Sequence, residues 1–229
     1  MGLDSRERPG NCPGVCFGAA PDYTKRMYSD RNSTDLPYSE AAGRNRAPIF
    51  EQLLRLLPAR GHILEIGSGA GQHVVHFAPA YPRVTWQPTE QREHLAGLNA
   101  RLRLEGSPNI LPAIELDVRG AWPDRQYVAA YSANTAHIMP WQAVCAMFSG
   151  IGARLLPGGL FCLYGPFNVG GRFTAASNEE FDRQLRARDP AMGLRDLEAL
   201  AALAAEHKMK LMQSLQLPAN NQLLVFGAN

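Results

Sequence analysis

His62-Ile63-Leu64-Glu65-Ile66-Gly67-Ser68-Gly69-Ala70-Gly71-Gln72 decides how the rest of the chain reads. Ile63 to Ile66 has the length and apolar character of a short buried strand. A Gly-x-Gly-x-Gly turn follows, and Gln72-His73-Val74-Val75-His76-Phe77-Ala78 continues as a helix. A strand running through glycines into a helix is the nucleotide-cradling corner of a doubly wound α/β sheet. Glycine there supplies positive φ and lets a ligand lie against bare backbone. The same turn can also serve only to pack a strand on a helix, so other residues must discriminate.

Two details separate the cofactor classes. A dinucleotide site wants Gly-x-Gly-x-x-Gly, with the helix N-terminus aimed at a pyrophosphate. Here the third glycine comes one residue early, and Glu65 stands two positions before the first. S-adenosylmethionine has no pyrophosphate, and its cationic amino and sulfonium groups suit a nearby carboxylate. The pattern resembles motif I of the class I methyltransferases, with Glu65, Gly67, Ser68, Gly69 and Gly71 at the cofactor. An NAD-type site is the weaker alternative.

Composition narrows the class. A length of 229 residues suits one domain with a full core, expected at 38–229, and an N-terminal arm at 1–37 rich in Gly, Pro, Asn, Asp and Ser. The net charge of +2 creates no strong field for nucleic acid or an anionic membrane, and neither is an expected partner. Arg6, Glu7 and Arg8 have no hydrophobic stretch behind them, and no apolar run approaches a membrane span. A cytoplasmic location is the expectation. Four cysteines, at 12, 16, 145 and 162, are too scattered for a disulfide framework. The Cys12-x3-Cys16 spacing has no second Cys/His pair, so no metal site is expected. Lys25, Arg26, Tyr28 and Arg31 read as a solvated basic face.

From residue 38 the chain alternates helix and strand. Pro48 is placed for the first turn of a helix, with Ile49, Phe50, Leu53, Leu54 and Leu57 as its apolar stripe. Arg44 and Asn45 precede it, where such folds often close over the cofactor. Helix entry and surface charge explain the same two residues equally well. Val84 to Gln87 is the second strand, and Glu90 lies near its end. A carboxylate there, some 20 residues beyond the glycines, is placed to accept from ribose hydroxyls. Thr89 can instead cap the next helix, read as Gln91 to Leu104 with Leu95, Leu98, Leu102 and Leu104 inward. Asn109 to Val118 is the third strand, and Asp117 with Val118 falls where adenine is met in this fold.

Tyr127 to Ser132 is a fully buried fourth strand, followed by Asn134 and His137. Ligands in open α/β sheets sit outside the carboxyl ends of the strands at the switch point. Asn134 and His137 are therefore the catalytic candidates, with His137 as a general base; a structural histidine is the bland reading. Leu156-Pro-Gly-Gly-Leu-Phe161 leads into strand five and matches class I methyltransferases again. Phe167 to Thr174 reads as a flexible lid, and Ser177 to Glu180 as a capping box opening a helix. A further helix carries Leu194, Leu197, Leu200, Leu203 and Ala204. Met209 to Leu217, Pro218-Ala219-Asn220-Asn221 and Gln222 to Phe226 form a terminal hairpin. That hairpin completes a seven-stranded α/β sheet of order 3-2-1-4-5-7-6, with the last strand antiparallel, as in class I methyltransferases.

Collected together, these stretches resemble one uncharacterised group of class I methyltransferase-like proteins found in bacteria and animals. Ser39-Glu40-Ala41-Ala42-Gly43-Arg44-Asn45, Trp86-Gln87-Pro88-Thr89-Glu90 and Asn134-Thr135-Ala136-His137-Ile138-Met139-Pro140-Trp141 carry it, with Tyr164-Gly165-Pro166-Phe167. Ser177-Asn178-Glu179-Glu180-Phe181-Asp182 and Pro218-Ala219-Asn220-Asn221 add to it. The resemblance covers 38–229 and implies the fold and S-adenosylmethionine binding, with no acceptor. The expected function is methyl transfer to a small molecule, Tyr38, His137 and Tyr164 facing the acceptor. The alternative is a repurposed module on the same fold, using the cofactor for other chemistry or acting through a partner.

Overall fold

The structure, a computed structural model, describes residues 36–229. The expectations for residues 1–35, including the Cys12/Cys16 pair and the basic cluster, lie outside the described residues. Seven strands form one sheet: β1 (Gly61–Ile66), β2 (Val84–Glu90), β3 (Ile114–Glu115), β4 (Tyr127–Ala133), β5 (Leu155–Gly165), β6 (Met209–Leu217) and β7 (Asn221–Ala228). Their spatial order is 3-2-1-4-5-7-6. β1 to β5 run parallel, and β7 pairs antiparallel with β5. This is the class I methyltransferase Rossmann-like fold.

Alternation along each strand explains the two cores. Ile63, Trp86, Tyr131 and Tyr164 point to the face covered by α1 (Glu40–Leu56) and α2 (Gln72–Phe77). Leu64, Ala130, Phe161 and Leu163 point to the face covered by α4 (Trp141–Gly152) and α6 (Leu197–Glu206). There Phe148 of α4 meets Phe161 and Phe226 edge to face, each pair with centroids 5.3 Å apart. Each fully buried ring or aliphatic side chain contributes about 1.5–3 kcal/mol. The parallel strands are covered on both faces, which is why they read as continuous apolar runs.

Several local expectations are corrected. Pro48 lies inside α1, whose N-cap is Ser39, accepting from the Ala42 N–H. Eight helical residues therefore precede the proline. Leu54 is half exposed, leaving Ile49 and Leu53 as the fully buried part of the stripe. Thr89 is a residue of β2, not a cap: its hydroxyl donates to the Glu65 carbonyl. The helix beyond it begins as a short 3-10 turn and becomes α3 (Leu95–Glu105), with Leu98 buried and Leu104 in solvent.

The third strand is only Ile114–Glu115, because Pro112 interrupts pairing after an isolated Trp86–Ile110 bridge. The Gln87 side chain fills the gap, donating to the carbonyls of Pro88 and Pro112. Phe167 is fully buried, in a two-residue ladder pairing 167–168 with 195–196, so the segment after β5 is anchored at its start. α5 (Ala176–Arg188) takes Ala175 as its N-cap, with no side-chain cap bond, and Ser177 falls inside it. β6 carries one extra residue, Met212, between the positions that pair with Phe226 and Val225. Among the described residues, no helix is long and apolar enough to cross a membrane.

Candidate active site

The carboxyl ends of β1 and β4, neighbours that carry the chain to opposite sides of the sheet, open one cavity of about 1140 Å³. The glycine turn forms its floor. Gly67 and Gly69 adopt φ of 67° and 55°, a region where a side chain costs about 1–2 kcal/mol. A Cβ on Gly67 would meet the Thr135 methyl at 2.7 Å, so this glycine also lets β1 and the loop after β4 approach. Ser68 fastens the turn to β2: its N–H donates to the Thr89 carbonyl, and its hydroxyl accepts from the Thr89 N–H. Gly71, expected at the cofactor, is not among the lining residues. It caps α2 at φ 78°, and a Cβ there would meet Leu98 Cδ1 at 2.7 Å. Its glycine is required by the packing of α2 on α3.

One end of the cavity is acidic. Glu90 accepts from the Gly69 N–H at 2.6 Å and the Gln91 N–H at 2.8 Å, one bond per carboxylate oxygen. Burial raises its pKa, and the two amides oppose that rise. Asp117 lines the same end with Val118. Its carboxylate is held by Arg119 through both oxygens, at 3.0 and 2.7 Å, which keeps its pKa below the usual carboxylate range. Arg92 and Glu115 pair at 3.0 Å beside it.

Glu65 lies beneath the turn, 2% exposed and outside the lining. Its Oε2 has no hydrogen-bond partner among the described residues, and burial pushes its pKa up to about 8. A buried carboxyl oxygen without a donor fits a cationic ligand group nearby better than it fits a purely structural role.

The other end is built from β4, β5, α1 and α5. Asn134 directly follows β4, in the left-handed region at φ 58°, its N–H bonded to the Tyr164 carbonyl. His137 lines the cavity at 5% exposure, its ring 5.2 Å from that of Phe181 on α5. Burial, and next the Arg195 charge, push its pKa down to about 4, so the imidazole is neutral. Tyr164 lines this end; burial raises its phenol pKa, and a bond with the Asn45 side chain opposes the rise. Asn45 Oδ1 lies 2.8 Å from His73 Nε2, and the Tyr131 hydroxyl lies 3.2 Å from His73 Nδ1. With the amide oxygen accepting, His73 holds its proton on Nε2, and Nδ1 accepts from Tyr131.

Arg44 stands on the rim, exposed and 4.0 Å from Glu40. Tyr38 does not line the cavity: it is half exposed, and its ring lies across Gly43 of α1. The expected lid at 167–174 does not line it either. The roof comes instead from the first turn of α5 and the β6–β7 turn, Pro218 to Asn221. Asn178 donates to the Asn220 carbonyl, and Asn220 donates to the Ser177 hydroxyl, so the two segments are tied together. Gln72, His73, Asn178 and the hairpin tip are site residues that the sequence reading left without a role, and Ser177 was read only as a helix cap. Their signal was the family-specific runs Leu64 to His73, Ser177 to Phe181 and Pro218 to Asn221.

A family described as protein of unknown function (DUF938) matches residues 36–228. The chain belongs to the DUF938 family. Among solved structures, the DUF938 chain is similar to CalO1, a methyltransferase in calicheamicin biosynthesis solved with S-adenosylhomocysteine. The two are 16% identical over 82% of this chain and 54% of that one, with a TM-score of 0.67. An O-methyltransferase family protein from Burkholderia thailandensis matches at 12% identity over 83% and 58%, with a TM-score of 0.71. The mitomycin 7-O-methyltransferase MmcR matches at 15% over 81% and 54%, with a TM-score of 0.69. The DUF938 chain thus spans a little over half the length of these proteins. At such identities the likeness establishes the fold.

Proposed function

We propose that the chain transfers the methyl group of S-adenosylmethionine to a small-molecule acceptor. One observation carries this reading: a single cavity joins Glu90 and Asp117 at one end to Asn134, His137 and Tyr164 at the other. At about 1140 Å³ the cavity has room for a cofactor and a second small molecule side by side across the strand ends. Solved structures with the same fold, some holding S-adenosylhomocysteine, support the choice of cofactor.

The cofactor, when bound, supplies an electrophilic methyl on a sulfonium. Gly67 and Gly69 present bare backbone against which it lies. Glu90 keeps lone pairs beyond those used by Gly69 and Gln91, and these accept from ribose hydroxyls. Asp117 and Val118 flank the adenine position, and Glu65, protonated in the ligand-free fold, lies under the position of the amino end. Arg44 and Asn45 reach over from α1. Asn134 and His137 hold the acceptor, and the neutral His137 ring has a lone pair for a proton. Alignment of acceptor and methyl supplies most of the acceleration.

The test is calorimetric titration of the folded chain with S-adenosylmethionine and S-adenosylhomocysteine, followed by an acceptor screen read by S-adenosylhomocysteine release. Both should bind with dissociation constants on the order of micromolar. A folded protein that binds neither refutes the proposal.

A further inference from the structure

We propose that the acceptor end of the cavity binds a small molecule through a carboxylate, seated between the first turn of α5 and His137. This names the acceptor class and rests on the methyltransferase reading only for what occupies the other end.

Charge is divided unevenly along the cavity. Its lining carboxylates, Glu90, Glu93, Glu115 and Asp117, all belong to the β2–β3 end. None of the described lining residues at the β4–β5–α5 end is acidic. The carboxylates of α5 do not line the cavity: Glu179 in the first turn is exposed outside it, Asp182 holds Arg186 and the Leu194 N–H, and Glu180 holds Arg183 and Gln184. A cationic acceptor therefore has no counter-charge here.

Two features favour an anion instead. α5 is a helix of 13 residues whose N-cap, Ala175, provides no side-chain cap, and its first turn faces the cavity through Ser177 and Asn178. The Asn178 N–H donates to the Ala175 carbonyl and its side-chain amide to Thr174 and Asn220, so the first two N–H groups of the helix and the positive end of its dipole are what attract negative charge. Independently, His137 on the same wall is 5% exposed, and no described residue hydrogen-bonds its imidazole. A polar ring that lines the cavity can take its partner from what fills the cavity, and the N–H of a neutral imidazole is a donor for a carboxylate oxygen. Its ring lies against Phe181, one helical turn beyond Asn178, which brings the two donor sets together. Ile138, Met139 and Phe181 make the surrounding wall apolar, suited to an aromatic or aliphatic body on the acid.

The test uses the full chain saturated with S-adenosylhomocysteine and titrated by NMR with benzoate, benzamide and benzylammonium. Benzoate should bind about tenfold more tightly than benzamide, and benzylammonium most weakly. Ser177→Asp adds a carboxylate where a helix first turn favours one, so the fold and S-adenosylhomocysteine affinity should persist while benzoate binding falls about tenfold. Ser177→Asn, neutral and of the same shape as Asp, should weaken benzoate far less than Ser177→Asp does. Binding of benzamide or benzylammonium as tight as that of benzoate, binding of none of the three, or indifference of benzoate to Ser177→Asp overturns the proposal. Loss of S-adenosylhomocysteine binding would instead refute the methyltransferase reading, and the carboxylate preference is then read on the free protein.

Discussion

Glu90 Oε2 lies 2.6 Å from the backbone nitrogen of Gly69, so the acid at the end of β2 holds the glycine turn of β1 before any ligand is bound. The residue that accepts from ribose in the proposed complex is also part of the scaffold.

Replacing Glu90 with Ala should therefore have two effects. Loss of charge-assisted bonds to the ribose should weaken S-adenosylhomocysteine by about 2 kcal/mol. Release of the Gly69 and Gln91 amides should lower the melting temperature as well. Glu90→Gln keeps an acceptor for one amide and should lower the melting temperature less. Calorimetry with thermal denaturation separates the two, and an unaltered affinity removes Glu90 from the binding site.

Glu65 makes the ligand-free protein sensitive to alkali. Its pKa of about 8 in the fold exceeds the ordinary 4.5, so the folded chain holds a proton that the unfolded chain has released between those values. Its contribution to stability is complete below pH 4.5 and is lost as pH rises toward 8, by up to about 1.4 kcal/mol per pH unit. The difference in unfolding free energy between the native chain and Glu65→Gln, followed in urea across that window, should show this slope. A parallel pair of curves would mean that Glu65 is already ionised in the fold.

The two buried imidazoles act in the opposite sense. His73, at about 3, and His137, at about 4, are neutral in the fold, and their contribution is lost as pH falls below 6.5 toward those values. NMR of the ring protons should show both still neutral at pH values where a free imidazole is largely protonated. His137→Ala should leave cofactor affinity within about twofold and reduce turnover by about 10²-fold or more. Retained turnover would make His137 a packing residue.

Gly71→Ala should destabilise the fold by about 2 kcal/mol, through left-handed strain and the collision with Leu98. For a chain of this size that is a fall of roughly 4–8 °C in melting temperature. A shift under one degree would show that α3 yields freely at Leu98.

The sheet order, the glycine turn and Glu90 were legible because each rests on local chemistry: an apolar run, a positive φ, a carboxylate at a strand end. Tyr38 and Gly71 were misplaced for a different reason. Their surroundings are set by α1 and α3, whose docking is a tertiary matter. The extent of α1 was hidden by Pro48, since a proline ordinarily marks a first turn and here sits in mid-helix. The roof was invisible for the same reason as the misplacements: Asn178 and Asn220 are 42 positions apart and meet only once the hairpin folds back on α5.

The extra residue at Met212 bears on how copies of the chain behave in a crowded solution. β6 is the last strand of the sheet, so one side of its ladder has no neighbour among the described residues. An open, flat edge invites a strand from another molecule and growth into aggregates. The bulge breaks that edge near its middle, and Met212 leans back toward Gly227 rather than extending the pleat. A template that cannot be matched in register by an incoming strand is a poor seed for aggregation, and the sheet meets solvent with its edge blunted.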